Sequence, residues 1–293
     1  MARAGPIPPP ADGAAPLSVL VDFDGTVAAT DVADAVLARH ATVPDWRDKD
    51  AAYVAGRAGS RTLNAWDVTV LEQDRTILEQ TAAAQPADTT FPPFAREMLQ
   101  SGAIVEVVSD GLGFYVEPFL SAMGAPDLPV ATSVMDFSTA PFGISFPYGH
   151  PRCFVCGTCK RERVLAHRAA GRFVAFVGDG ESDRYGAWYA DLVFAKHRLA
   201  DLCEREGWPY IRWERFADVG EWLREGLASG AVPATPESLA ALRAVPRSEA
   251  ELVARRGGEV TTYICGPEAW GPWRVAPGPA VVASSAREPG RGW

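Results

Sequence analysis

Three short apolar runs in this chain stop at polar residues: LSVLVDFDGT (17–26), AIVEVVSDG (103–111) and RFVAFVGDGESD (172–183). A continuous run of roughly four to eight apolar residues, bounded by Gly and polar residues, fits a strand buried on both faces, as in a parallel sheet. Ending such a strand in carboxylates is costly unless a counter-charge meets them. Parallel strands in an open α/β sheet bring their carboxyl ends to one edge, where ligands bind. The three stops therefore constrain fold and chemistry together.

The segments between the runs read as helices. Residues 31–85 are helical in pattern and nearly free of Pro and Gly, and Pro86, Pro92 and Pro93 close the section. PFAREMLQSG (93–102), VEPFLSAMG (116–124) and KRERVLAHRAAG (160–171) are shorter helical stretches. A helix over 183–190, a strand LVFAK (192–196), a helix over 199–206 and a strand YIRW (210–213) follow. Buried strands alternating with helices predict an α/β fold with a parallel sheet. The helical block is too long for an ordinary crossover, so it reads as a cap inserted between the first two strands. The expected layout is a core of 17–30 and 91–230 and a helical cap of 31–90. The Ala/Pro/Gly-rich residues 1–16 are expected to be disordered, and 231–293 to form a partly disordered extension with one helix over 235–256.

The formal charge of −9 argues against nucleic acid or an anionic membrane surface as the main partner. It leaves a small anionic substrate open, because a bound cation reverses the local field. No run of 18 apolar residues is present, and MARAGPIPPPADGAAP carries Pro where a signal peptide would be apolar. Five cysteines, three of them within 153–159, make a poor disulfide framework and fit a reducing cytoplasm.

Asp22 and Asp24 flank Phe23 at the first strand end, so strand alternation would turn both carboxylates to one face. Two acids this close repel, and one pKa rises unless a cation intervenes. That suits a nucleophile paired with a general acid and base. Gly25 and Thr26 let the chain turn close to a ligand. At the second strand end, the hydroxyl of Ser109 and the amides of Asp110 and Gly111 can hold a phosphate oxygen. At the third, Asp179 and Asp183 are hard oxygen ligands suited to Mg²⁺. Lys160 opens the helix before that strand, where its cation can meet a phosphate. Each feature alone also reads as a turn, a cap or a solvated charge. Together they occupy the strand-end positions that phosphoryl chemistry needs.

DFDGT (22–26), VVSDG (107–111), Lys160 and GDGESD (178–183), in this order, resemble the haloacid dehalogenase superfamily of phosphohydrolases. The likeness spans residues 17–196 and implies a Rossmann-like core. It implies Asp22 as the attacking group, Asp24 as acid and then base, and Ser109, Asp110, Gly111, Gly25 and Thr26 around the phosphate. It also implies Lys160 as charge stabiliser and a Mg²⁺ site of Asp22, Asp24 (through its carbonyl), Asp179 and Asp183, with Asp183 alternatively supporting Lys160. The cap position is similar to the subclass that contains phosphoserine phosphatase. GTVAATDVADAVLARHA, VAGRAGSR, CGTCK and ADLVFAKHRLADLCE resemble the branch around the methionine-salvage phosphatase acting on 2-hydroxy-3-keto-5-methylthiopentenyl-1-phosphate. Phosphoserine-, phosphocholine- and phosphoethanolamine-type phosphatases, a phosphotransferase and a non-catalytic binder are the alternatives. The implied partner is a small phosphorylated metabolite, with a homodimer left open.

HPRCFVCGTCK spaces His150, Cys153, Cys156 and Cys159 three apart. These could form a tetrahedral zinc site, although the usual wide gap between ligand pairs is missing. The alternatives are a loop of buried thiols that positions Lys160, or a redox-labile pair. In the cap, Asp31, Arg57 and Arg61 could reach a substrate; the competing readings are an N-cap for Asp31 and solvated charges for the arginines. Phe114 and Tyr115 are expected to pack the cap against the core. His40, His167 and His197 are expected to be structural or exposed.

Overall fold

In the computed structural model, which describes residues 5–54, 58–150 and 155–244, LSVLV forms β1 (Leu17–Val21) with every residue buried. Four helices follow: α1 (Val32–His40), α2 (Trp46–Val54), α3 (Ser60–Val70) and α4 (Arg75–Ala83). The chain continues through α5 (Phe91–Gln100), β2 (Ile104–Val108), α6 (Val116–Ala122) and β3 (Val130–Ala131). A hairpin of β4 (Val134–Asp136) and β5 (Gly143–Ser145) precedes α7 (Lys160–Ala169) and β6 (Phe173–Gly178). A 3₁₀ turn at Glu181–Asp183 leads into α8 (Arg184–Tyr189), β7 (Leu192–Ala195), α9 (His197–Glu206) and β8 (Ile211–Arg212). The last elements are α10 (Phe216–Ser229) and α11 (Pro236–Ala244).

Six strands form one sheet in the order β3-β2-β1-β6-β7-β8, and every pairing is parallel. This is the α/β, Rossmann-like core. Val21 lies opposite both Val107 and Val177, so β1 ends level with its two neighbours. The chain leaves β1 towards β2 and later returns to the other side as β6. The carboxyl end of β1 is therefore a switch point of the sheet, where a crevice opens.

Alternation along β1 divides the core. Leu17, Val19 and Val21 join the apolar layer that includes Phe94, Val116 and Trp222 from α5, α6 and α10. Leu20 joins the opposite layer with Val164, Ala187 and Leu199 from α7, α8 and α9. Glu106 sits fully buried in β2, an unusual residue for a central strand. Arg163 grips it with two hydrogen bonds of 2.6 and 2.8 Å, and His167 bridges it to Ser18 at 2.8 and 2.9 Å. Burial pushes the Glu106 carboxyl up, but these partners outweigh it and hold the group below its usual range.

The four-helix block between β1 and β2 leaves and rejoins the sheet layer through adjacent backbone. Ala28 and Ala87 form an antiparallel bridge, Ala29 N–H donates to Pro86, and Asp88 N–H donates to Val27. Among the described residues no helix is long and apolar enough to cross a membrane.

Three local expectations change. The N-terminal segment read as disordered is tied to the sheet layer, because the Arg172 guanidinium donates to the carbonyls of Pro8 and Pro9 at 2.9 and 3.2 Å. Helix α10 is absent from the sequence reading; its buried residues Val219, Trp222 and Leu223 are interrupted by charged neighbours that face water. Of the helix expected over 235–256, Pro236–Ala244 is helical, with Leu239 buried, and the remainder lies outside the described residues.

Candidate active site

Asp22 is the first residue beyond β1, and its N–H donates to Val177 at 2.9 Å, which extends the parallel ladder by one bond. Its carboxylate meets Lys160, the first residue of α7. The Lys160 ammonium donates to Asp22 Oδ1 at 2.6 Å, Asp183 Oδ1 at 2.7 Å and Ser182 Oγ at 3.0 Å, which uses all three of its protons. Both Lys160 and Asp22 are almost wholly buried. A cation at the start of a helix opposes the helix dipole, so the flanking carboxylates must offset that as well as the burial. Burial alone would lower the Lys160 pKa, but Asp183 and Asp22 outweigh it and keep the ammonium charged well above its usual range. Burial, then the charges of Asp183 and Asp179, push Asp22 upward against the pull of Lys160.

Asp183 is held from its other side. Its Oδ2 accepts from the amides of Asp179 and Gly180, each at 3.0 Å. Asp179 in turn accepts from the Thr26 hydroxyl at 3.1 Å. Asp22, Asp179 and Asp183 offer oxygens within 4.8 Å of one another, and among the described residues they are the one such group of His, Cys, Asp or Glu. Three hard oxygen donors at this spacing fit Mg²⁺.

The strand stops at Val21, so alternation does not set the direction of Asp24, and the expectation of two carboxylates on one strand face is replaced by a split. Asp24 Oδ1 accepts from Val32 N–H at 2.9 Å, in the first turn of α1, and Oδ2 accepts from the Tyr115 hydroxyl at 3.0 Å. The helix N-terminus favours the anion, while burial and then Asp31 raise the carboxyl well above its usual range. Asp31 is the N-cap of α1, accepting from Asp34 N–H at 2.9 Å, and it also lines the cleft. Gly25 has φ +73°, and a Cβ there would lie 2.3 Å from Asp179 Oδ2. Gly111 is equally constrained, since a Cβ would meet the Tyr115 hydroxyl at 2.3 Å and Asp24 Oδ2 at 2.7 Å.

Ser109 is buried beside this turn, its Oγ accepting from Gly111 N–H at 3.2 Å. Asp110, expected to offer its amide to phosphate, uses its other polar atoms elsewhere. Its carboxylate accepts from Ser60 Oγ at 2.5 Å and Thr158 N–H at 2.7 Å, and its carbonyl accepts from Asn64 Nδ2 at 2.8 Å. It braces α3 against the loop that delivers Lys160. Arg61 departs from the substrate reading: Nε donates to the Cys156 carbonyl at 3.0 Å, and the guanidinium lies 5.5 Å from the Phe146 ring centre. Arg57 lies outside the described residues, as do Cys153 and Cys265.

The zinc reading gains no support. His150 Nε2 faces Glu162 at 3.8 Å, and Cys153 is not among the described residues. His40 bonds Glu72 and Thr81 in the core, His167 is buried against Glu106, and His197 lines the cleft.

A cleft of about 440 Å³ opens over Asp22 and Asp24, roofed by α1, α2 and α3. Ser60, Asn64 and Asp67 reach it from one face of α3, at spacings of four and three residues. The sequence reading passed over this face; the i, i+4, i+7 recurrence of polar residues was its available signal.

No family model matches the chain. It is 28% identical over 216 residues to the 2-hydroxy-3-keto-5-methylthiopentenyl-1-phosphate phosphatase of an Exiguobacterium species, covering 70% of this chain and 96% of that relative. The enzyme of the same name from Brevibacillus brevis is also 28% identical over 216 residues, covering 71% of this chain and 96% of that relative. A solved phospho-aspartyl intermediate analogue of phosphoserine phosphatase shares the fold, with a TM-score of 0.51 and 18% identity over 72% of this chain and 97% of the other. The chain resembles the phosphatases of the haloacid dehalogenase superfamily. The curated relatives are phosphoric monoester hydrolases, and the solved neighbours share the fold of phosphoserine phosphatase. A probable phosphoserine phosphatase from Vibrio cholerae has the same fold at a TM-score of 0.55 and 13% identity, over 76% of this chain and 70% of the other.

Proposed function

We propose that the chain is a Mg²⁺-dependent phosphatase that hydrolyses a small-metabolite phosphate monoester through an aspartyl-phosphate on Asp22. The buried cluster of Asp22, Lys160 and Asp183, with Asp24 held separately beside it, carries this reading. An Asp22 oxygen attacks phosphorus as the ester P–O bond breaks, and Asp24, whose burial favours its protonated form, passes its proton to the leaving alkoxide. Asp24 then takes a proton from water, whose oxygen attacks the phosphorylated Asp22 and releases phosphate. Tyr115 and the Val32 amide hold the Asp24 carboxyl in one orientation for both steps. Lys160 balances the charge that gathers on Asp22 and the phosphoryl oxygens, and Asp183 and Ser182 fix its position. Ser109 and the amides after it are the groups assigned to a phosphate oxygen. Asp22, Asp179 and the Asp24 carbonyl would hold Mg²⁺, which supplies charge neutralisation when bound. Asp183, whose oxygens already serve Lys160 and two amides, supports the cluster.

In this reading helices α1 to α4 are a cap, and residues 17–30 with 91–230 are the catalytic core. The substrate named for the curated relatives is the first candidate, and a reducing cytoplasm fits the cysteine usage. Amine-bearing esters of the phosphocholine or phosphoethanolamine kind are the second, favoured by the acidic lining of the cleft.

Phosphate release from a panel of metabolite phosphates is expected to stop with EDTA and return with added Mg²⁺. Release that persists after complete chelation would exclude the metal role. Asp24→Asn is expected to slow turnover about 10²- to 10⁴-fold, least for p-nitrophenyl phosphate, whose leaving group needs no proton. Uniform loss across leaving groups would remove the acid assignment. Gly25→Ala is expected to cut turnover at least about tenfold and to raise the Mg²⁺ concentration needed for half activity. The positive φ costs about 1 kcal/mol for a side chain, and the Cβ displaces Asp179. A normal Mg²⁺ requirement in that variant would separate Asp179 from the metal.

A further inference from the structure

The cap side of the cleft is charged in a way that phosphate chemistry leaves unexplained. Asp67, near the C-terminal end of α3, is only 3% exposed, and its Oδ1 has no hydrogen-bond partner. It lines the same cleft as Asp22. An unpaired buried carboxylate oxygen costs the folded state free energy, and Asn or Leu would cost less in an empty protein. Asp31, Asp34 and Asp50 line the same wall. Burial, then these three charges, push the Asp67 carboxyl up to about 8. Asp31 and Asp34 are reached by water through the mouth of the cleft, yet protein crowds them, and this crowding lifts Asp34 to about 7. Arg198 and Arg47 temper Asp34; the charges acting on Asp67 are all negative.

The missing partner is therefore a cation that brings a hydrogen-bond donor. A divalent metal does not fit, because these four carboxylates are not gathered at ligand distance; among the described residues only Asp22, Asp179 and Asp183 are. Carboxylates spread around a space shared with Trp46 and Tyr53 suit an organic ammonium, which both carboxylates and aromatic faces attract. A cleft of about 440 Å³ holds a small metabolite with its phosphate at Asp22 and its other end at the cap.

We propose that the cap half of the cleft binds an ammonium group on the phosphomonoester, with Asp67 accepting an N–H hydrogen bond and Asp31, Asp34 and Asp50 supplying the attracting field. The substrate class is then an amino-alcohol phosphate. This rests on the phosphatase reading and moves its second substrate candidate ahead of the first. The site disfavours three nearby classes: a quaternary ammonium has no N–H for Asp67, the carboxylate of O-phosphoserine meets the acidic wall, and the hydroxy-keto thioether phosphate named for the relatives carries no cation.

The test compares kcat/KM for phosphoethanolamine with that for 2-hydroxyethyl phosphate, which differs by one terminal group. O-phosphoserine and phosphocholine complete the set, and p-nitrophenyl phosphate reports on the chemistry alone. The full chain is expected to prefer phosphoethanolamine over 2-hydroxyethyl phosphate at least tenfold. Asp67→Asn is expected to lose at least tenfold more on the amine ester than on the hydroxy ester, mainly in KM. Equal use of the two esters, or equal loss in the variant, overturns the proposal.

A second arm needs no turnover: ethanolamine is expected to raise the melting temperature of the full chain and not that of Asp67→Asn. Without ligand at pH 8, Asp67→Asn is expected to melt about 2–4 °C above the unsubstituted protein. The raised carboxyl penalises folding increasingly as pH climbs from its unfolded value near 4 to about 8, and Asn removes that penalty. Protection by ethanolamine with no hydrolysis of any ester would sink the phosphatase reading and leave the ammonium site standing. Hydrolysis of p-nitrophenyl phosphate without ester preference or protection would do the reverse. Asp67-dependent protection by Mg²⁺ or Ca²⁺ instead of ethanolamine also overturns the ammonium site.

Discussion

Replacing Asp22 with Asn is expected to lower phosphate release by at least about 10³-fold on every ester, with the fold intact. The amide is nearly isosteric and its oxygen can still accept from Lys160, so the 2.6 Å contact has a successor. What it loses is the anionic oxygen proposed to attack phosphorus. Asp22 is buried and pushed upward in pKa by burial and by the neighbouring Asp183 and Asp179 charges. Removing its charge should therefore leave the melting temperature equal or higher. The two readouts must separate: activity gone, stability kept. A brief reaction with labelled ester, quenched in acid, should label the unsubstituted protein and not the variant, and the label should be released by hydroxylamine as an acyl phosphate is. A variant that retains a tenth of the activity would show that another group attacks phosphorus.

The second large effect is expected at Lys160. Lys160→Met keeps the length of the side chain and deletes the cation that Asp22 and Asp183 share. Removing one partner of a buried ion pair costs about 3–5 kcal/mol, because the remaining charges have neither water nor a counter-ion. A fall in melting temperature of about 10 °C is expected from that cost, together with loss of turnover. Combining Lys160→Met with Asp22→Asn should recover part of the stability and none of the activity. The buried group left unbalanced is then Asp183, still held by two backbone amides. If the double substitution is no more stable than Lys160→Met alone, the two side chains are not coupled in the way their 2.6 Å contact implies.

The core was legible in the sequence because a strand buried on both faces must be an uninterrupted apolar run, and β1, β2 and β6 are. Their polar ends converge because parallel strands in register end together. The cap was harder to read. Ser60, Asn64 and Asp67 recur with helical period, but a polar helix face has the same pattern whether it looks onto bulk water or into a cleft. Asp110 shows a related limit. Its place beside Ser109 pointed to a phosphate-binding amide and gave no sign that its carboxylate turns to α3 and Thr158, a direction that only the tertiary arrangement supplies. Arg61 likewise spends its guanidinium on the Cys156 carbonyl, and no local pattern distinguishes that from a substrate contact.

The clasp at Asp110 bears on how the enzyme is opened and closed. Ser60 and Asn64 of α3 are fastened to Asp110, and Gly157 and Thr158, three and two residues before Lys160, are fastened to Ser60 and Asp110. Any swing that lifts α3 away from the sheet must break these bonds and slacken the loop that leads into Lys160. The roof of the cleft and the start of α7 are thereby mechanically linked. The ammonium itself is anchored from below by Asp22, Ser182 and Asp183, so such a movement would load α7 between two fixed ends.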